Sequence, residues 1–220
     1  MRLRFAAGAL ALSTLLAQDA AKISPNVRVE IDNQWVRVLR VKEDAGDRVA
    51  MHAHPSSVAI YLTDARQRIT AADGQMQTVV RKAGEVAYRD PVRHAEENIS
   101  DQPMEAVVIE LKPDAPKLKP APVALDPVKL DPEHHIVAVE NDRVRVLRTI
   151  LEPHLKAPMH EHPHYVVVYL TELHTTMQMA DGKTIDNVRR AGEAAWRDPL
   201  KHATENVGDR TAVEIQVELK

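Results

Sequence analysis

Residues 50–55 read AMHAHP and residues 158–163 read PMHEHP, so one Met-His-x-His-Pro phrase occurs twice, 108 residues apart. Sliding the chain against itself by that distance extends the match without a gap. Asn33 falls on Asn141, VRVLR at 36–40 on VRVLR at 144–148, and HAEEN at 94–98 on HATEN at 202–206. About 35 of the 84 pairs from Val29/Val137 to Lys112/Lys220 are identical, as expected of two copies of one structural unit.

Within each copy the apolar residues alternate or run in short stretches: WVRVLRV, SVAIYLT and AVVIEL in the first, VRVLRTI, YVVVYLT and AVEIQVEL in the second. Turn residues interrupt them at ADG (72–74 and 180–182) and AGE (83–85 and 191–193). A period of two between such turns predicts an all-β chain of antiparallel sandwiches or barrels. The units are expected at 25–112 and 133–220. Between them, residues 113–132 carry six prolines, which predicts an extended linker with no helix, reaching roughly 60 Å at ~3.1 Å per residue.

Lys plus Arg number 29 and Asp plus Glu 32, so there is no basic field to draw the chain onto nucleic acid or anionic lipid. Arg2 and Arg4 precede an apolar run from Phe5 to Ala17, and the chain turns polar at Gln18. A run of about 13 residues is shorter than the roughly 20 that span a bilayer, so residues 1–17 read as a signal peptide. The expected product is exported, periplasmic or secreted, with no membrane attachment after cleavage. It has no cysteine and therefore no disulfide.

Side chains alternate across a strand, so His52 and His54 share one face, as do His160 and His162. His94 and His202, each ten residues after a glycine (Gly84, Gly192), can complete the set from a neighbouring strand. Six of the eleven histidines thus stand at matched positions, whereas His134, His135, His154, His164 and His174 have no counterpart. Three converging neutral imidazoles hold a divalent first-row metal with coordination positions left open, which predicts two metal sites per chain.

Gly46, then five residues, then His52-x-His54, followed by Gly84 and His94-x-x-x-Asn98, resembles the two motifs of the cupin superfamily. The second unit repeats them with His160, His162, Gly192, His202 and Asn206, so the chain resembles a bicupin. The resemblance implies two tandem jelly-roll β-barrels, each with its metal inside. The chain departs from the pattern in two ways. His154 stands where Gly46 would recur, and the glutamate expected four or five residues after the second histidine is replaced by Val58 and Ala59, and by Val166 and Val167. The likeness is therefore to the three-histidine cupins, which include thiol and diketone dioxygenases. It implies a non-haem iron dioxygenase acting on a small, chelating, oxygen-rich molecule. Zinc in the same sites would instead give a hydrolase, lyase or hydratase, and manganese, nickel and copper suit the ligands too. A binding protein that captures a small ligand without turnover is the reading from another class. Because duplication supplies a barrel pair within one chain, either a monomer or a homo-oligomer is consistent with it.

Glu97 and Glu205, three residues past the third histidine, are candidates for a base or an imidazole partner, or else exposed strand-end carboxylates. Arg89-Asp90-Pro91 and Arg197-Asp198-Pro199 predict a turn with a structural ion pair. Arg40 and Arg148 share a face with Val36 and Val38 and with Val144 and Val146, pointing inward or emerging at a strand end. Tyr61 and Tyr169 are expected in the barrel interior. His164 and Tyr165 replace Ser56 and Ser57, giving the second pocket more titratable groups, so the second site is the expected catalytic one, with Tyr169 and His164 as candidates. Strand parity turns Glu161 away from the histidines.

Overall fold

The structure, a computed structural model, describes residues 19–118 and 123–220; the leader expected at 1–17 lies outside the described residues. The first unit runs α1 (Ala20–Ile23), β1 (Val27–Asp32), β2 (Val36–Glu43), β3 (Arg48–His54), β4 (Ser57–Tyr61), β5 (Ala65–Ala71), β6 (Met76–Arg81), β7 (Val86–Arg89), β8 (Val92–Asn98) and β9 (Met104–Leu111). The second repeats it as α2 (Pro127–Leu130), β10 (His135–Glu140), β11 (Val144–Leu151), β12 (Lys156–His162), β13 (Tyr165–Tyr169), β14 (Leu173–Met179), β15 (Thr184–Arg189), β16 (Ala194–Arg197), β17 (Leu200–Asn206) and β18 (Ala212–Leu219). Each unit closes a five-stranded sheet (β1-β2-β9-β4-β7; β10-β11-β18-β13-β16) over a four-stranded one (β3-β8-β5-β6; β12-β17-β14-β15), the jelly-roll arrangement. No helix among the described residues is long and apolar enough to cross a membrane.

Strand parity divides the core into three. Leu39, Val41, Ala59, Tyr61, Ala106 and Val108 fill the first barrel, and Leu151, Ala157, Tyr165, Val167, Tyr169 and Leu173 the second. The alternate residues of the five-stranded sheets point the other way and meet each other. Val36, Val38, Val58, Ile60, Val107 and Ile109 pack against Val144, Val146, Val166, Val168, Ile215 and Val217 in one cluster between the barrels. These sheets are therefore buried on both faces, which explains the unbroken apolar runs SVAIY and YVVVY.

Arg40 and Arg148 lie on this seam, neither inside a barrel nor at a solvent-exposed strand end, because they share parity with the seam valines. Arg40 donates to Glu30 at 2.9 Å and Glu105 at 3.1 Å, and reaches across to the Gly192 carbonyl; Arg148 reaches reciprocally to the Gly84 carbonyl. Both glycines sit at φ +82, where a side chain would be strained.

The linker also departs from expectation, since α2 falls within it. Pro127 occupies the first helical turn, where a missing N–H costs nothing, and the Asp126 side chain caps it by accepting from Val128 N at 3.1 Å. Asp19 caps α1 in the same way.

His154 takes over the role of Gly46. The two have φ of +63 and +83, and each donates its N–H to the carbonyl of the motif asparagine, Asn206 or Asn98, at 2.9 Å. Left-handed backbone costs a histidine more than a glycine, while glycine brings extra unfolded-state entropy. His154→Gly is accordingly expected to stabilise the protein by about 0.5–1 kcal/mol, raising its melting temperature by roughly 1–4 °C without changing metal content. A lower melting temperature would show that the imidazole itself contributes there.

Candidate metal centres

The strands bearing the histidines are neighbours: β3 pairs with β8 so that His52 faces His94, and β12 with β17 so that His160 faces His202. A register shift between Val49 and His52, repeated between Ala157 and His160, bulges the strand just before the first histidine. The bulge aims a carbonyl back at the imidazole, and His52 Nδ1 donates to Ala50 O and His160 Nδ1 to Pro158 O, each at 2.7 Å. Proline is tolerated at 158 because a bulge leaves its position out of the ladder.

The remaining ring nitrogens converge. His52 Nε2 lies 3.0 Å from His54 Nε2 and 3.1 Å from His94 Nε2, and in each barrel the three ligand atoms lie within 4.8 Å of one another. With Nδ1–H committed to oxygen acceptors, each Nε2 of His52 and His54 presents a lone pair, and two lone pairs cannot bond to each other. In the second barrel His162 Nε2 and His202 Nε2 are buried with no partner. Buried, convergent, unsatisfied acceptors at the spacing of ligands around one ion, roughly 3–3.5 Å for bonds of about 2.0–2.1 Å, fit a divalent metal. Burial also keeps the rings neutral, the form that can donate to a metal: it lowers the pKa of His52 and His160, brings His94 down to about 4, and holds His162 well below the ordinary value.

Behind each triad stands a relay that the sequence reading missed. His54 Nδ1 meets Glu110 at 2.6 Å; Glu110 accepts from Arg37 Nε at 2.6 Å, and Arg37 pairs with Asp19 at 2.5 Å. In the second barrel His162, Glu218, Arg145 and Asp126 repeat it at 2.7, 2.6 and 2.9 Å. Such a carboxylate fixes the tautomer and orientation of its imidazole. The arginines and glutamates are matched in the self-alignment, whereas Asp19 and Asp126 lie outside it.

The barrels differ in what surrounds the triads. In the second, a cavity of about 30 Å³ is lined by His135, Thr149, Tyr165, Tyr169, Arg197, His202, Glu214 and Gln216. Val27, Val41, Ser57, Ala106 and Val108 are the counterparts of His135, Thr149, Tyr165, Glu214 and Gln216. Thr149 Oγ1 donates to Gln216 Oε1 at 3.2 Å, and Gln216 Nε2 donates to Glu214 at 2.7 Å. Burial pushes the Glu214 carboxyl up to about 7, against the pull of Gln216 and Arg197. His135 packs its ring 5.0 Å from that of His160, and burial brings it down to about 4. In the first barrel, Glu43, Gln67 and Glu96 instead form a buried group beside the triad, and burial followed by the Glu96 charge pushes Glu43 up to about 8.

The catalytic candidates separate. Tyr169 is in the cavity wall, its hydroxyl accepting from Arg197 at 3.2 Å. Tyr61 accepts from Arg89 at 2.5 Å in the same way, so both arginines bond tyrosine rather than the adjacent aspartate. Glu97 and Glu205 are not brought to the histidines. Three residues along a strand reverses the face, and they pair outside with Arg48 and Arg68, at 2.9 and 2.6 Å, and with Lys156 at 3.0 Å. His164 follows the Pro163 turn, where parity no longer carries over, and lies at the seam between Trp35 and Trp196, with ring centroids 4.5 and 5.4 Å away. Glu161 faces outward and pairs with Lys201 at 3.2 Å.

Solved structures share this architecture. AerE from Microcystis aeruginosa is similar over 90% of this chain and 95% of its own, with a TM-score of 0.65 at 13% identity. An oxalate decarboxylase is similar over 84% of this chain and 68% of its own, with a TM-score of 0.58 at 13% identity. Bacillus subtilis oxalate decarboxylase, a protein with Mn(II) centres, gives 0.53 at 14% over the same shares. At such identities the likeness is one of fold. No protein-family model matches the sequence, and no curated protein is significantly similar to it. The chain shares the jelly-roll fold of these proteins, with a three-histidine group suited to metal in each barrel.

Proposed function

We propose that the chain is a metal-dependent enzyme whose reaction takes place in the second barrel, of the three-histidine dioxygenase type and acting on a small, chelating, oxygen-rich molecule. The observation that carries this reading is that His160 and His202 line a cavity walled by polar and titratable side chains, where the first barrel has valine, serine and alanine. A redox-active metal held there supplies Lewis acidity and a site for dioxygen. The neutral imidazole set leaves the charge of such an ion uncompensated, which favours an anionic chelating ligand. Glu214, with a pKa near 7, is suited to take a proton from an enol or hydroxyl group. The Thr149–Gln216 chain orients it, and Tyr169 with Arg197 forms the polar wall around it. At about 10–15 Å³ per water the cavity holds roughly two waters, which limits the substrate to a few heavy atoms. The leader-like residues 1–17 support a setting for this chemistry outside the cytoplasm.

The test is oxygen uptake by iron-, manganese- and zinc-loaded protein against the smallest dicarbonyls and hydroxy acids, those of a few heavy atoms. Uptake is expected with iron, and Glu214→Gln is expected to lower kcat about 10²-fold or more while leaving metal content unchanged. Product without oxygen consumption in the zinc form would make it a hydrolase or lyase. Tight ligand binding without product in every metal form would make it a binding protein.

A further inference from the structure

Glu96 stands two residues after His94 on β8, so the pleat sends both side chains into the first barrel. Its Oε2 lies 4.0 Å from His94 Nε2. The Gln67 amide donates to Glu96 Oε2 and Glu43 Oε2, both at 3.3 Å, and so holds the two carboxylates side by side. Glu43 is 1% exposed, and its Oε1 has no hydrogen-bond partner. Among the described residues neither glutamate has an arginine or lysine partner, although Glu110 and Glu218, the glutamates bonded to His54 and His162, do. Buried negative charge persists only where a cation compensates it, and here the adjacent groups are three neutral imidazoles whose free nitrogens converge.

We propose that Glu96 is the fourth protein ligand of the ion held by His52, His54 and His94. With bonds of about 2.0–2.2 Å, two ligands of one ion lie roughly 3–4 Å apart, and the 4.0 Å separation from His94 falls at the wide end of that range. The carboxylate absent at Val58 and Ala59 is thereby supplied from the strand of the third histidine. Glu43 remains outside the coordination sphere and positions Gln67. The second barrel has Leu151, Thr175 and Thr204 at the three places, so its ion keeps only imidazoles. One chain thus carries two unlike centres: a closed, anionic site that retains its ion, and an open, neutral site beside the cavity.

This inference rests on the reading that both triads hold metal, and its test separates the two. Full-length metal-free protein is titrated with Mn²⁺ and with Zn²⁺ by calorimetry, and the bound Mn²⁺ is followed by its electron paramagnetic resonance. Two ions of unequal affinity are expected. In a His160→Ala, His162→Ala background, which isolates the first site, Glu96→Gln is expected to weaken binding at least ~10-fold and to change the Mn²⁺ spectrum, whereas Glu43→Gln leaves both within about threefold. Thr204→Glu in the otherwise unchanged chain is expected to tighten the weaker site, and it decides the matter should the Glu96 variant fail to fold. Equal losses from Glu96→Gln and Glu43→Gln, or none from Glu96→Gln, would overturn the ligand role while leaving the metal sites standing. A wild-type chain that binds neither ion would overturn both readings.

Discussion

Replacing His160 and His162 together by alanine is expected to lower the metal content from two ions per chain to one and to abolish turnover. Both rings give Nε2 to the same buried cluster, and with two of three donors gone His202 alone cannot hold an ion. The loss is also one of stability. Metal at about 100 times its dissociation constant stabilises the folded chain by ~2.7 kcal/mol per site, which in a chain of this length is roughly 5–10 °C in melting temperature. Elemental analysis and thermal scans at pH 7.5 with and without added metal therefore suffice. Unchanged stoichiometry, or equal melting temperatures for the wild type with and without metal, would mean that the second triad is a packing feature.

The second large effect is acid lability of the metal-free protein. Burial lowers the pKa of His52, His160 and His162, and brings His94 and His135 down to about 4 and His202 to about 2. A histidine whose folded pKa lies below its unfolded value of about 6.5 leaves stability unaffected above that pH. Below it the unfolded chain takes up protons first, and stability falls until the folded value is reached. For His94 or His135 the loss is roughly 3 kcal/mol by pH 4, and His94, His135 and His202 together lose an amount comparable to the ~5–15 kcal/mol that holds a domain folded. The metal-free chain is expected to unfold between about pH 6 and 4, and the loaded chain at lower pH, because bound metal competes with protons for the same nitrogens. Fluorescence of Trp35 and Trp196, stacked at the seam with ring centroids 5.1 Å apart, reports the transition. A metal-free midpoint below pH 4 would contradict neutral burial of these rings.

The histidine triads were legible because two independent signals coincide: identity at a 108-residue offset and a shared strand face within each pair. The polar lining of the second cavity was not. In β18 the apolar set Val213, Ile215, Val217 and Leu219 alternates with Ala212, Glu214, Gln216 and Glu218, and a period of two ordinarily turns the apolar set inward and the charged set to water. Here the apolar set faces the other barrel and the polar set faces the lumen, so the pattern of the strand gave no sign that Glu214, Gln216 and Glu218 line the interior. His135 was set aside because nothing matches it in the first unit, yet divergence between the copies is where the second site becomes distinct. His164 was assigned to the second pocket because it replaces Ser56, but a proline turn separates it from His162 and it lies at the seam. The six prolines of the linker were read as excluding helix throughout, although one of them begins α2.

The seam also bears on the order in which the chain folds. Whichever barrel closes first presents a bare apolar sheet until the other arrives, and such a surface invites wrong pairing. Arg40 interrupts that face in the first barrel and already has both of its carboxylates, Glu30 and Glu105, from its own unit, so its charge is satisfied before any docking occurs. Arg148, at the same place in the second barrel, has no ion pair among the described residues; Ala138 and Val213 replace the two glutamates, and its guanidinium reaches the Gly84 carbonyl of the opposite unit. Before docking, the first barrel thus presents its apolar face with a charge in it that is already compensated. The arginine of the second finds no partner of its own and is satisfied only on contact, so the first barrel is the better suited of the two to stand alone.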